Sequence, residues 1–121
     1  MASVDDVRRI CLGLPEVEEV LTWGSDVTFR VRSKIFAITG EGADRVSIKA
    51  TPTRQAELLE LDPETYSYAG YVGRFGWVVV ALDRVDGGWL ETLLRDAWRL
   101  TAPKRLVASA AAHDAGNRSA S

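Results

Sequence analysis

Residues Tyr71 to Leu82 read Tyr-Val-Gly-Arg-Phe-Gly-Trp-Val-Val-Val-Ala-Leu, and no other stretch restricts the fold as strongly. A Gly-Arg-Phe-Gly turn feeds an apolar run that is β-branched, aromatic and too short for an ordinary helix, which predicts a buried strand at the centre of a sheet. Trp77 and Val79 fall on one side of it, Val78, Val80 and Leu82 on the other, so the run asks for cover on both faces.

The remaining elements are read outward from this strand. Ser3 followed by Asp5 and Asp6 is a helix start, a capping hydroxyl with acids where the helix dipole favours them. Val4, Val7, Ile10, Cys11 and Leu14 then recur at helical spacing until Gly13 and Pro15 end the helix. Residues 16–26, with Glu16, Glu18, Glu19 and Asp26 around Val20, Leu21 and Trp23, read as an acidic, irregular connection. Val27, Phe29 and Val31 alternate with Thr28, Arg30 and Arg32, the pattern of a half-buried strand. A turn at Ser33-Lys34 leads to a strand over 34–39, and Gly40 to Asp44 turns into a third over 45–50.

Thr51-Pro52 predicts a cap with proline in the first helical position, opening a short helix that Pro63 stops. A strand over Tyr66 to Val72, the Gly73 to Gly76 turn and the central strand follow. After Asp86-Gly87-Gly88, the apolar positions Trp89, Leu90, Leu93, Leu94, Ala97, Trp98 and Leu100 mark a long helix packing across the sheet. The expected fold is α+β, two layers with a five-stranded antiparallel sheet in the order α-β-β-β-α-β-β-α. Residues 1–107 form one domain, and 108–121, poor in large apolar side chains, read as a disordered tail.

At 121 residues the chain is long enough to bury roughly two-thirds of its unfolded surface without a disulfide or metal staple. One cysteine excludes an intrachain disulfide, and with no signal peptide or apolar run of membrane-spanning length the expected setting is the cytoplasm, away from membranes. Cys11 lies on the apolar stripe of its helix and reads as an inert, buried thiol. The only histidine, His113, falls in the tail, which leaves the domain without the usual general base. No metal-ligand cluster and no activated nucleophile is visible, so the sequence predicts a non-catalytic binding protein with no cofactor and no metal.

Net charge is −2, so attraction to nucleic acid has to come from a local patch. Residues 27–54 supply one, with six basic and two acidic side chains. If the strands pair in register, Arg30, Arg32, Arg45 and Lys49 project from one sheet face, with Lys34 and Arg74 at turns. Guanidinium forks suit phosphate oxygens and also stack on bases, which makes these six the expected nucleic-acid-binding residues. Charge on a solvated strand face also serves solubility and protects sheet edges. A cleft lined by Tyr66, Tyr68, Arg74 and Trp77 would suit a small anion.

Thr28-Phe29-Arg30-Val31-Arg32-Ser33-Lys34-Ile35-Phe36-Ala37, then Val46-Ser47-Ile48-Lys49, then Gly73-Arg74-Phe75-Gly76-Trp77-Val78-Val79-Val80 and the final helix together resemble the MmcQ/YjbR family over residues 4–107. The resemblance implies a YjbR-like domain with the element order above, similar in outline to secretion chaperones and frataxin-like folds. It also implies the family's DNA-binding label, which rests on analogy with a double-wing transcription-factor domain. Where family members often carry Ser-Tyr in the last helix, this chain has Ala97-Trp98. DNA is thus one expected partner; a protein partner or a second copy of the chain is the alternative.

Overall fold

The computed structural model describes residues 2–22, 24 and 26–111. The first helix, α1 (Val4–Leu12), starts as its sequence requires: Ser3 Oγ accepts from Asp6 N while Asp6 Oδ2 accepts from Ser3 N at 2.9 Å. This reciprocal capping satisfies donors that a helix start otherwise leaves open.

The next segment departs from expectation. Val17–Thr22 is a strand, β1, paired antiparallel with β2 (Asp26–Val31), so the sheet has six strands and not five. Simple alternation hides β1 because an inward position is acidic. Glu19 sits opposite Phe29, on the side that α1 covers, where Arg8 Nε donates to it at 2.7 Å. An ion pair there replaces the apolar residue that would have signalled a strand.

Between β2 and β3 (Lys34–Gly40) the chain reverses through Arg32 and Ser33, with φ of 50° and 69°. Two successive left-handed residues match the twist of a two-residue hairpin. Arg32, expected on the strand face, is therefore in the turn. The β2–β3 register slips between Phe29 and Arg30, leaving Phe36 as an extra residue; this bulge lets both Phe36 and Ala37 be fully buried. β4 (Arg45–Ile48) then leads to α2 (Pro52–Leu61), capped by the Thr51 hydroxyl, which accepts from Arg54 N at 3.1 Å.

The strand expected over 66–72 is only β5 (Tyr66–Tyr68). Residues Gly70–Phe75 form a 3₁₀ helix between glycines at positive φ, Gly70 and Gly76. Gln55, buried on α2, pins this segment by donating Nε2 to the carbonyls of Gly73 and Trp77, both at 2.7 Å. β6 (Val78–Ala81) follows, and the sheet order is β1-β2-β3-β4-β6-β5, so the apolar run lies second from the edge and not at the centre. Its flank is the short β5, which explains how so apolar a strand can sit there: β4 and β5 satisfy its backbone on both sides.

Helix α3 (Gly87–Thr101), capped by Asp86, lies beside α1 against the sheet. Val27, Phe29, Val31, Val46, Ile48, Val78 and Val80 face Val7, Cys11, Leu90, Leu94 and Ala97 in one core. The opposite sheet face carries no helix. Val20, Ile35, Ile38 and Val79 are only partly covered there, with Arg30 and Arg45 among them. Beyond α3 a helical segment over 104–111 runs past Ala108, where the tail was expected to begin; His113 and the rest of that tail lie outside the described residues.

Candidate functional site

Strand direction sorts the charged side chains between the two ends of the sheet. One end holds the Arg32-Ser33 turn, the end of β4, where Lys49 N donates to Phe36 O at 3.0 Å, and the 3₁₀ helix after β5. The C-terminus of α3 reaches the same end, tied by Trp98 Nε1 donating to Pro15 O at 3.0 Å, just ahead of β1. Arg30, Arg32, Lys34, Lys49, Arg74, Arg99, Lys104 and Arg105 belong here, against Glu16, Glu18 and Asp96.

The other end gathers the 40–44 turn, the starts of α1 and α3, and residues 62–65 and 82–86. Ala2 N donates to Leu82 O, Leu82 N to Asp44 O and Ala81 N to Thr65 O, each at 2.8 Å. It carries Asp5, Asp6, Asp26, Glu41, Asp44, Asp62, Glu64, Asp83 and Asp86 against Arg8, Arg45 and Arg84. A protein of nearly balanced charge is thus polarised along its strands.

The six basic residues expected to bind nucleic acid, four on one sheet face and Lys34 and Arg74 at turns, separate accordingly. Arg30 is half-buried on the open face, its Nε donating to Thr28 Oγ1 at 3.1 Å; Thr28, expected to point to solvent, is buried and donates to Val20 O. Arg32 in the turn holds Glu16, with Nη2 3.1 Å from Oε2, and that guanidinium keeps the Glu16 carboxyl below its usual range. Lys34 is exposed beside it. Lys49 lines a groove between α2 and α3. Arg74 is exposed, its guanidinium 4.8 Å from the Phe75 ring centre.

Arg45 is the exception. It pairs across from Ala81 near the acidic end, against Asp44 at 3.4 Å, and roughly 16 Å from Arg30 by strand and sheet spacing. The sequence reading also missed Arg99, Lys104 and Arg105, which complete the basic end. Their signal was present: cations in the last turn of a helix and just beyond it, where the dipole favours them. They lie far in sequence from the 27–54 patch, and the packing of α3 on the sheet, with the Trp98 to Pro15 contact, brings them to the same end.

The four residues of the expected cleft have unequal exposure. Tyr66 and Trp77 are buried, and burial pushes the Tyr66 hydroxyl above its ordinary pKa. Tyr68 and Arg74 are exposed. The Tyr68 ring lies against Gly73 so closely that a Cβ there would stand 2.5 Å from it.

Other chemistry finds little support. Cys11 is free and fully buried, and burial pushes its thiol pKa far up, so no thiolate nucleophile is available at neutral pH. Among the described residues no group of three His, Cys, Asp or Glu could hold a metal ion, and no helix is long and apolar enough to cross a membrane.

Comparison with known proteins agrees with this architecture. The YjbR family model matches residues 12–100. The crystal structure of Deinococcus radiodurans protein DR2400, described as a DUF419 domain, is similar with a TM-score of 0.76 and 31% identity, over 83% of this chain and 78% of that one. No curated protein matches the chain. With the family model spanning most of its length and a 31% identical structure sharing its fold, the chain belongs to the YjbR family.

Proposed function

We propose that this YjbR protein is a non-catalytic nucleic-acid-binding protein that contacts phosphates through the basic end of its sheet. The observation carrying this reading is the surplus of cations there: Lys34, Lys104 and Arg105 are exposed, and no ion pair is formed by any of them among the described residues. The elements presenting them are a tight hairpin and a helix terminus, both narrow enough to approach a duplex backbone. Backbone contacts of this kind position a protein without reading sequence.

Fluorescence anisotropy of a labelled mixed-sequence duplex tests the proposal. Each neutralised phosphate adds about −0.9 to the salt slope, so four contacts predict roughly a 10²-fold loss of affinity between about 50 and about 200 mM salt. Reversing Lys34, Lys104 and Arg105 to Glu together abolishes binding, whereas Arg45→Glu at the acidic end leaves it within about twofold, because repulsion from that end is already present. Equal loss in both variants, or no binding at the lower salt, sinks the reading.

A second reading, association of two copies, is favoured by the partly covered Val20, Ile35, Ile38 and Val79 on the helix-free face. Light scattering across a concentration series decides it; a monomer mass throughout removes this alternative.

A further inference from the structure

Grooves on the surface of the described residues differ in their charges. One of about 410 Å³ between α2 and α3 contains Arg54, but Asp96 at 3.5 Å and Glu57 at 3.8 Å answer that charge. Another, of about 250 Å³ near Arg45 and Arg84, is lined as well by Asp44, Glu64 and Asp83. A third groove, of about 390 Å³, lies between α3, the link from α1 to β1, and the helical segment 104–111. Among the described residues no carboxylate lines it.

Two chemistries meet in this groove. Arg95 and Arg99 stand one turn apart on α3, with Cβ atoms about 6 Å apart, close enough to share one anionic head group. Arg95 makes no ion pair among the described residues, and Arg99 makes only an exposed one, 3.2 Å to Asp96, of the kind that exchanges readily. Leu14, Trp98, Leu106 and Val107 provide the apolar wall. The Trp98 N–H is already used at Pro15 O, so the indole offers this groove hydrocarbon and no donor.

We propose that this groove binds a small amphiphilic anion, its carboxylate or phosphate held by Arg95 and Arg99 and its short apolar tail laid along Leu14, Trp98, Leu106 and Val107. The volume falls within the roughly 300–1,000 Å³ of ordinary small-molecule sites. Charge selects the head and the walls select the tail. The lining makes the fit one-sided: a cationic amphiphile would meet two guanidinium groups, with Asp96 on Arg99 as the carboxylate beside them. The proposal stands apart from the nucleic-acid reading, since it needs neither DNA nor the residues reversed to test DNA binding.

Octanoate titrated into the full chain by isothermal calorimetry, without nucleic acid, supplies the test, with octan-1-ol and acetate as the tail-only and head-only probes. The expected result is saturable one-to-one binding of octanoate, weaker by about tenfold or more for each control probe, as loss of a charged hydrogen bond or of the tail's burial requires. Arg95→Glu, an exposed position whose change leaves the thermal midpoint near that of the parent, weakens octanoate by about tenfold or more, while Arg45→Glu does not. Absence of saturable heat, equal binding of octanol and octanoate, or an unaltered Arg95→Glu titration overturns the proposal.

Discussion

The two ends of the sheet use charge differently. At the acidic end Arg8 is enclosed by carboxylates, with Nε 2.7 Å from Glu19, Nη2 2.7 Å from Glu41 and Nη1 3.3 Å from Asp5, while Arg84 holds Glu64 at 2.7 Å. Several of its acids also cap: Asp6 closes the start of α1 and Asp86 the start of α3. Charge there is consumed by the fold. At the basic end Arg32 holds Glu16 and Arg99 holds Asp96, while Lys34, Lys104 and Arg105 are exposed and form no ion pair among the described residues. The difference teaches where to look for a partner: a charge already matched inside the molecule has little left to offer, and an unmatched cation retains its full attraction for an anion.

The comparison is broken most severely by removing what assembles the basic end. Trp98→Ala deletes a buried indole and its bond to Pro15, which joins α3 to the start of β1. A cost of about 3–5 kcal/mol follows from the truncation, read as a lower urea midpoint. In a variant that stays folded, Arg99, Lys104 and Arg105 lose their fixed position at the basic end, so DNA affinity falls with no charge altered. Unchanged stability would show that Trp98 is not the tie described.

A smaller effect sharpens the comparison on the same end. Gln55→Leu keeps the volume of a buried side chain but leaves the carbonyls of Gly73 and Trp77 without their donor, at a cost of about 1–3 kcal/mol. Hydrogen exchange localises the loss, since amides of the 3₁₀ helix should open while those of β2 and β3 stay protected. Exchange that accelerates uniformly would assign Gln55 a global role instead.

Sharpening from the acidic end uses Arg8→Ala against Lys34→Ala. Arg8 leaves three carboxylates facing one another, whereas Lys34 leaves nothing unmatched, so the thermal midpoint drops for the first and stays near the parent for the second. Salt should narrow the gap, because exposed charges are screened. Equal midpoints at low salt would remove the distinction between consumed and surplus charge.

How much of this was legible in the sequence follows from the range of the interactions involved. Helix starts were readable because capping is local: Ser3, Thr51 and Asp86 each accept from an amide three residues on. The apolar run at 77–82 was readable as a strand, but its place in the sheet was not, since strand order depends on which edges pair and not on the run itself. β1 escaped notice because Glu19 answers Arg8, eleven residues earlier on another element. Gln55 gave no hint of burial, because its two acceptors lie 18 and 22 residues away. The candidate site was half visible: Lys34 and Arg32 stand out in the 27–54 patch, but Arg99 and Lys104 join them through long-range packing of α3 and a bond spanning 83 residues. Arg45 was grouped with Arg30 because alternation gives the face of a strand and not the position along it.

The faintest test of the two-ended picture is its pH dependence. At the acidic end Asp62 is held below the ordinary carboxylate range, first by the Thr65 hydroxyl, which donates at 2.6 Å, and then by the amides of Glu64 and Thr65. Asp6 is lowered mainly by the Ser3 amide, and at the basic end Glu16 is lowered mainly by Arg32. A carboxylate whose folded pKa is depressed contributes stability that is full above its unfolded pKa and is lost as pH falls through the folded one. Stability should therefore decline below the ordinary Asp and Glu range, in steps owed to both ends. Asp62→Asn and Glu16→Gln each remove one titrating group, so each flattens the acid limb of a urea-midpoint profile while leaving its neutral slope alone. The two differ in salt response: added salt weakens the Glu16 contribution, which faces a guanidinium, more than that of Asp62, whose first partners are a hydroxyl and two amides. Identical salt dependence in the two variants would mean that local hydrogen bonding sets both shifts, and that the ends differ in the number of their charges but not in how those charges are held.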